Sequence, residues 1–407
     1  MRRMTSTPRA GWRETVESQG LVYPTTVGPD GAERPYWWES AYYELTSAEV
    51  DELEAATEQL HRMCLEAARF LVTGAMGPIG LPEGALRLAA ASLEAGTPSL
   101  YGRFDLRYDG DGPPKLLEYN ADTPTGLLES SVVQWYWLED LHPDRDQWNS
   151  VHERLVAAWQ AMAPRITQPV WFAHHEDEVT GEEWMTTTYL RDTAEQAGLQ
   201  TRSITMGQIG YNEAAEYFVG HGGEMLRTCF KLYPWEDMLR EPFGRWVEPR
   251  PNPMYGTTWL EPPWKVVLSD KALLAALWHL YPDHELLLPA YLDSPQGLTE
   301  WVAKPIFGRE GAGIRIHADG VEQTPTGSDG GTSCVYQQWC PLPELDGHKV
   351  VIGSWVVDGH AAGAGIRESD GWVTDVGARF VPHLIDTAPP SAAQRAQWVA
   401  EDQGGPR

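Results

Sequence analysis

The residues that could do chemistry begin with one short segment, Ser99 to Thr125, SLYGRFDLRYDGDGPPKLLEYNADTPT. Strand-like residues flank a turn cluster at Asp109–Pro114, and its Asp111-Gly112 pair suits a tight reversal. A reversal centred on that pair sets Asp105 opposite Glu118 and Arg103 opposite Asn120, although Pro113 and Pro114 allow a longer loop. Period-two alternation then puts all four side chains on one face. Two opposed carboxylates repel unless a cation lies between them. A hard divalent ion such as magnesium suits Asp105, Glu118 and Asn120, leaving positions for water and phosphate oxygens. Arg103 could hold a phosphate through its planar fork. The same four residues would also suit an ordinary solvated, charged face.

A second candidate is VAKPIFGREGAGIRI, residues 302 to 316. Lys304 follows an apolar strand and precedes Gly308, Gly311 and Gly313, where missing side chains would let backbone N–H groups approach a phosphate. The loop is neither a Walker A sequence nor G-x-G-x-x-G, and an ordinary glycine-rich turn fits it as well. Lys271, in the first turn of a helix after Ser269, is a further cation, with a plain surface lysine as the alternative. Arg367 follows the small residues of GSWVVDGHAAGAGIRE, where the chain could pass close to a ligand. By residue type alone, Tyr336, Trp339 and Trp355 read as core aromatics.

The elements that must position these residues are legible in part. Thr46 and Glu49 form a capping-box pattern, and Val50, Leu53, Ala56, Leu60, Met63, Ala67 and Leu71 recur at helical spacing up to Gly74. A second helix runs through Leu273, Leu274, Leu277 and Leu280 and stops at Pro282. Strands are expected at 169–173, 301–307, 333–338 and 350–357, with a helix over 182–198, so the interior is α/β. No internal repeat is evident. The chain is expected to form one unit of packed lobes over 11–386, divided near 167 and 260. The first ten residues and the tail from 387 to 407 are expected to be mobile.

At 407 residues, 42% of them hydrophobic, the chain can bury a large core. A formal charge of −27 argues against nucleic acid or an anionic membrane as the main partner and would attract a cationic amine. An acidic surface equally suits solubility alone. Cys64, Cys229, Cys334 and Cys340 form no C-x-x-C pair, which suits a reducing cytoplasm. Neither an apolar leader nor a run of about 18 apolar residues occurs.

Taken together, YGRFD, LLEYNADTPT, FKLYPWE, SDKALLAALW, VAKPIFGREG, YQQW and GIRES resemble, in order and spacing, the glutathionylspermidine synthase family of ATP-grasp ligases, from about Gly11 to Ile385. The resemblance implies an α/β (α+β) ATP-grasp architecture with a pre-ATP-grasp-like α/β lobe and an N-terminal helical segment. It implies ATP and Mg2+ as cofactors, and a small, peptide-like carboxylate and an amine as substrates joined through an acyl phosphate. Arg103 would contact the phosphates, and Arg367 would sit near the point of phosphoryl transfer. Asp105, Glu118 and Asn120 would hold magnesium. Lys271 and Lys304 would bind ATP, the loop with Gly308, Glu310 and Gly311 would fold over its phosphates, and Gln337, Gln338, Trp339 and Cys340 would border the adenine. Thr123, Thr125, Glu182 and Glu183 would hold the peptide-like substrate.

Two departures bear on the substrate: Leu232 stands where the family has a threonine, and Arg379 where an acidic residue is expected near the polyamine. The amidase domain of bifunctional members has no counterpart here, so hydrolysis of the amide is not expected. Phosphorylation without ligation, or nucleotide or peptide binding without catalysis, remain the alternatives.

Overall fold

The computed structural model describes residues 1–27, 31–176, 180–247, 256–309, 311–321, 333–375 and 377–386. Three sheets matter for the site. The central one has six strands, ordered Arg379–Val381, His360–Ser369, His348–Val357, Tyr101–Arg107 and Lys115–Asn120, with Glu344–Leu345 added beside His348–Val357. All its pairings are antiparallel.

The hairpin has the expected register where the charges lie: Arg103 pairs with Asn120 and Asp105 with Glu118. The pairing then slips, and Leu106 faces Leu116, so Leu117 is the extra residue of a bulge. A bulge turns the chain locally, as is common beside functional sites.

The long helix Ser47–Leu71 packs its apolar stripe on the back of this sheet. Thr46 and Glu49 do form the capping box, and every apolar residue of the expected stripe is buried. Each leucine so buried contributes about 1.5–3 kcal/mol. The stripe, the back of the central sheet and the helix Ala272–Leu280 share one large core.

A parallel sheet, ordered Thr258–Leu260, Thr228–Leu232, Val170–His174 and Thr201–Thr205, lies to one side. Helix Glu182–Gln196 crosses over between Val170–His174 and Thr201–Thr205, a βαβ unit that sets Glu182 and Glu183 near the carboxyl ends of the strands. The antiparallel sheet Ala290–Leu292, Cys334–Gln338, Trp301–Pro305 and Arg315–His317 covers the hairpin from the other side. The four expected strands and the helix over 182–198 have boundaries within two residues of those expected.

The expectation of a mobile N-terminus does not hold. Arg2–Thr5 is a strand paired with Ala41–Leu45, Arg3 meets the buried Glu368 at 2.9 Å, and Arg9 meets the buried Glu39 at 2.6 Å. Arg3 and Arg9, in the segment expected to be mobile, are the partners that two buried carboxylates require. The expected mobile tail, 387–407, lies outside the described residues. No helix among the described residues is long and apolar enough to cross a membrane.

Candidate active site

A cavity of about 510 Å3 opens where the three sheets meet, within the range of small-molecule sites. Its floor is the front of the central sheet. Arg103 and Asp105 come from one strand, Glu118 and Asn120 from the next, and Arg367 from a third. Arg103 Nε donates to Asp105 Oδ1 at 2.8 Å, and Arg367 Nη2 donates to Asp105 Oδ2 at 2.7 Å. Arg103 Nη1 also donates to the backbone oxygen of Thr125. Burial alone would raise the Asp105 pKa, but Arg103 and Arg367 outweigh it and hold the group at about 2. Asp105 is therefore ionised.

Gly353 lies between the two arginines in the sheet, paired with Asp105 on one side and Gly365 on the other. A Cβ there would stand 2.9 Å from Arg103 Cδ, so only glycine leaves the guanidinium room to lie across the strand.

The lysines reach the floor from opposite sides. Lys304, buried on the cover sheet, donates to Gln337 Oε1 at 2.8 Å and to the bulge carbonyl of Leu117 at 2.7 Å. The slip in register thus supplies the acceptor that fixes Lys304. Burial lowers its pKa to about 8, with Glu118 and Asp105 opposing and Lys271 assisting. Lys271, immediately before helix Ala272–Leu280, lies 3.6 Å from Glu118 Oε1 and donates to the carbonyl of Gly308. Lys271, 7% exposed, is not the plain surface lysine of the alternative reading.

Every other proposed residue that is described, apart from Gly313, also lines this cavity: Gly308 and Gly311 in the loop; Gln337 and Gln338 at the end of the cover strand, with Trp339 and Cys340 just after it; and Thr123, Thr125, Glu182 and Glu183 toward the parallel sheet. Glu310 lies outside the described residues. Gly311 and Gly313 have φ of +73° and +69°, conformations for which glycine is suited. Trp339, which residue type alone assigned to the core, is a wall of the cavity and packs edge-on against Trp372; Trp355 is fully buried, and Tyr336 packs against Trp301. Neither Leu232, buried in the parallel sheet, nor Arg379, bound to Glu368 and Asp370, lines it.

Some residues here were not singled out from the sequence. Arg309 bridges Thr123 Oγ1 at 3.1 Å and the buried Glu236 at 3.0 Å, so it ties the glycine loop to the residues after the hairpin. Asp122 pairs with buried Lys231 at 2.9 Å and accepts the Trp235 N–H at 2.9 Å. All lie within stretches quoted above, FGREG, NADTPT and FKLYPWE; the signal was present, but nothing local said which polar residue faced inward.

Among the described residues, no group of three or more His, Cys, Asp or Glu side chains is placed to hold a metal ion. The set Asp105, Glu118 and Asn120 consists of two carboxylates and a carboxamide. An all-oxygen set with one or two carboxylates, next to cations that would receive phosphates, fits magnesium, and a carboxylate bound to arginine keeps further lone pairs.

A family model described as glutathionylspermidine synthase preATP-grasp matches residues 3–386. A Haemophilus influenzae protein named as a candidate acid–amine ligase is 38% identical over 399 residues, covering 95% of this chain and 100% of that one. Trypanothione synthetase of Crithidia fasciculata is 30% identical over 308 residues, covering 69% of this chain and 46% of that one. The bifunctional glutathionylspermidine synthetase/amidase of Escherichia coli is 26% identical over 373 residues, covering 84% and 59%. The chain thus matches the whole of the first relative but only about half of the length of the other two. Among solved structures, a glutathione synthetase-like effector from Globodera pallida in its apo form has the same overall fold, with a TM-score of 0.51, 10% identity and coverage of 93% and 98%. The chain belongs to the glutathionylspermidine synthase preATP-grasp family and is an enzyme of its ligase class.

Proposed function

We propose that the chain joins a small, peptide-like carboxylate to an amine at the expense of ATP, through an acyl phosphate. The observation that carries this reading is the convergence of Arg103, Arg367, Lys271 and Lys304 with Asp105, Glu118 and Asn120 on one cavity. In it, four cationic side chains surround a position for a triphosphate, and oxygen ligands stand beside them. Preorganised charge of this kind stabilises a phosphoryl group in flight without a protein nucleophile.

In this reading, Lys271 and Lys304 hold the nucleotide phosphates, and Gln337 to Cys340 border the base. Arg103 and Arg367 face the γ-phosphoryl group. Thr123, Thr125, Glu182 and Glu183 hold the carboxylate substrate, the hydroxyls as donors and the glutamates as acceptors for its N–H groups. Magnesium, held by Asp105, Glu118 and Asn120, would supply charge neutralisation of the phosphate oxygens.

The substrate carboxylate oxygen bonds to the γ-phosphorus as the bond to ADP breaks. The amine nitrogen then bonds to the acyl carbon, and phosphate leaves. The loop from Gly308 to Gly313 shields the acyl phosphate from water. Lobe boundaries near 167 and 260 and a cytoplasmic setting, which four free thiols suit, complete the proposal.

The test is incubation with Mg-ATP and pooled carboxylates and amines, including glutathione, acidic peptides, polyamines and amino acids, with ADP release followed beside mass spectrometry. ADP release that requires both substrates, with a product lighter than their sum by one water, is the expected result. A phosphorylated product with no joined species would replace ligation by phosphotransfer. Asp105→Asn and Lys304→Ala are each expected to abolish nucleotide turnover with the fold intact by circular dichroism; near-normal turnover in both would remove the site assignment.

A further inference from the structure

Attack by an amine requires its neutral form, yet an alkylammonium has a pKa near 10, so a group must accept a proton at the site. A second, smaller cavity of about 180 Å3 adjoins the first and shares Arg103, Thr125, Thr180, Glu182 and Arg367 with it. The two cavities meet at the arginines, the proposed point of phosphoryl transfer. The rest of the smaller cavity includes the rings of Tyr23, Tyr36 and Phe380.

Both tyrosine hydroxyls bind one buried carboxylate. Glu129 is 0% exposed and opens a π-type turn, Glu129–Val133, that runs into helix Gln134–Leu141. Such turns are frequent at functional sites. Its Oε1 accepts from Tyr23 at 2.8 Å and from Tyr36 at 2.7 Å, while its Oε2 is buried without a hydrogen-bond partner. The Tyr23 oxygen also lies 3.1 Å from Glu182 Oε1. A continuous path of hydrogen bonds therefore runs from Glu182, which lines both cavities, through Tyr23 to Glu129.

A buried carboxylate that accepts two hydroxyl bonds and leaves its second oxygen bare is costly while charged. Burial raises the Glu129 pKa above the ordinary carboxylate value, against the two tyrosine hydrogen bonds and the charge of Arg103. Protonation relieves that cost. If the role were only to anchor two tyrosines, the carbonyl oxygen of a neutral glutamine would accept the same two bonds.

We infer that the smaller cavity admits the amine and that Glu182, Tyr23 and Glu129 form the path that removes its first proton. The inference rests on the ligase reading above. The ammonium gives one proton to the Glu182 carboxylate. Glu182 passes a proton to the Tyr23 oxygen as the Tyr23 hydroxyl proton moves to Glu129, which restores Tyr23 and leaves Glu129 neutral. The free amine nitrogen then bonds to the acyl carbon, the bond from that carbon to the phosphate oxygen breaks, and the second proton leaves with phosphate. Glu182, placed above against the carboxylate substrate, lines both cavities and so reaches the amine as well; Tyr23 and Glu129 act through it.

Tyr23→Phe and Glu129→Gln separate this role from a structural one when compared on two kinds of amine. Alkylamines from the panel need deprotonation, whereas hydroxylamine is already largely neutral at pH 7. With the carboxylate that supports ADP release, both variants are expected to lose about 100-fold or more in alkylamide formation. Hydroxamate formation should fall far less, so that the two amines diverge. Equal losses on both amines, or no loss on either, would overturn the path. Should Glu129→Gln fail to fold, Tyr23→Phe decides alone, because removing that hydroxyl interrupts the path. If the unaltered chain forms neither amide nor hydroxamate from any carboxylate of the panel, the ligase reading itself falls, a result distinct from failure of the path.

Discussion

Lys304 concentrates the electrostatics of the site in one residue. It is buried and touches two neutral acceptors, Gln337 Oε1 and the Leu117 carbonyl, while Lys271, a like charge, stands near it; its pKa lies at about 8 against its usual 10.5. In the free protein the ammonium is thus lost as the pH rises through about 8. A triphosphate binds the ammonium and not the neutral amine, so Mg-ATP affinity should fall by up to about tenfold per pH unit above that point. Calorimetric titration between pH 7 and 9.5 measures this, and Lys304→Arg should flatten the slope. The stability contribution has the opposite sign. Between pH 8 and 10.5 the folded chain holds fewer protons at this lysine than the unfolded chain, so this contribution grows with pH across that window.

The central sheet works as an element because its middle strand is bare where the charged side chains cross it. Gly353 pairs with Asp105 and Gly365, and Arg103 lies over it. Gly353→Ala would set a methyl 2.9 Å from Arg103 Cδ and 3.2 Å from the Gly365 oxygen. Arg103 cannot yield freely, since Asp105 and the Thr125 carbonyl both hold it. Overpacking of this kind costs about 1–3 kcal/mol, and a guanidinium moved by about 1 Å can lose about 100-fold in rate. Steady-state ADP release should therefore fall far more than stability does. An unchanged rate would mean that the arginine tolerates the shift.

For the molecule as a whole, the site depends on how the three sheets are joined. The parallel sheet is tied to the end of the hairpin by the fully buried Lys231, which donates to Asp122 at 2.9 Å and to the Tyr233 carbonyl at 2.7 Å. A buried pair of this kind adds little beyond what well-packed apolar residues would, but losing one partner strands a charge. Lys231→Met should destabilise the chain by about 3–5 kcal/mol in denaturant unfolding. Adding Asp122→Asn should recover part of that loss; no recovery would show that packing, not charge, sets the cost. The ends of the described chain are joined in the same manner, through strands that pair Arg2–Thr5 and His383–Ile385 with Ala41–Leu45.

By itself, the sequence determined the elements whose physics is local. The helix from Ser47 to Leu71 follows from its cap and its 3.6-residue stripe, and the pairing of two strands about the Asp109–Pro114 turn, with the charged residues on one face, follows from the turn residues and the two-residue alternation of strands. The family resemblance named the other site residues, but spacing alone could not separate Lys271 and Lys304 from a surface lysine and an ordinary turn. Their meeting with the hairpin was decided by tertiary structure, because it depends on which sheet packs on which across more than a hundred residues of chain. The bulge at Leu117, which gives Lys304 its acceptor, and the buried Glu129, bound by tyrosines from the distant N-terminal segment, belong to the same class. A polar residue's inward or outward direction is set by the partner it finds, and those partners were remote in the chain.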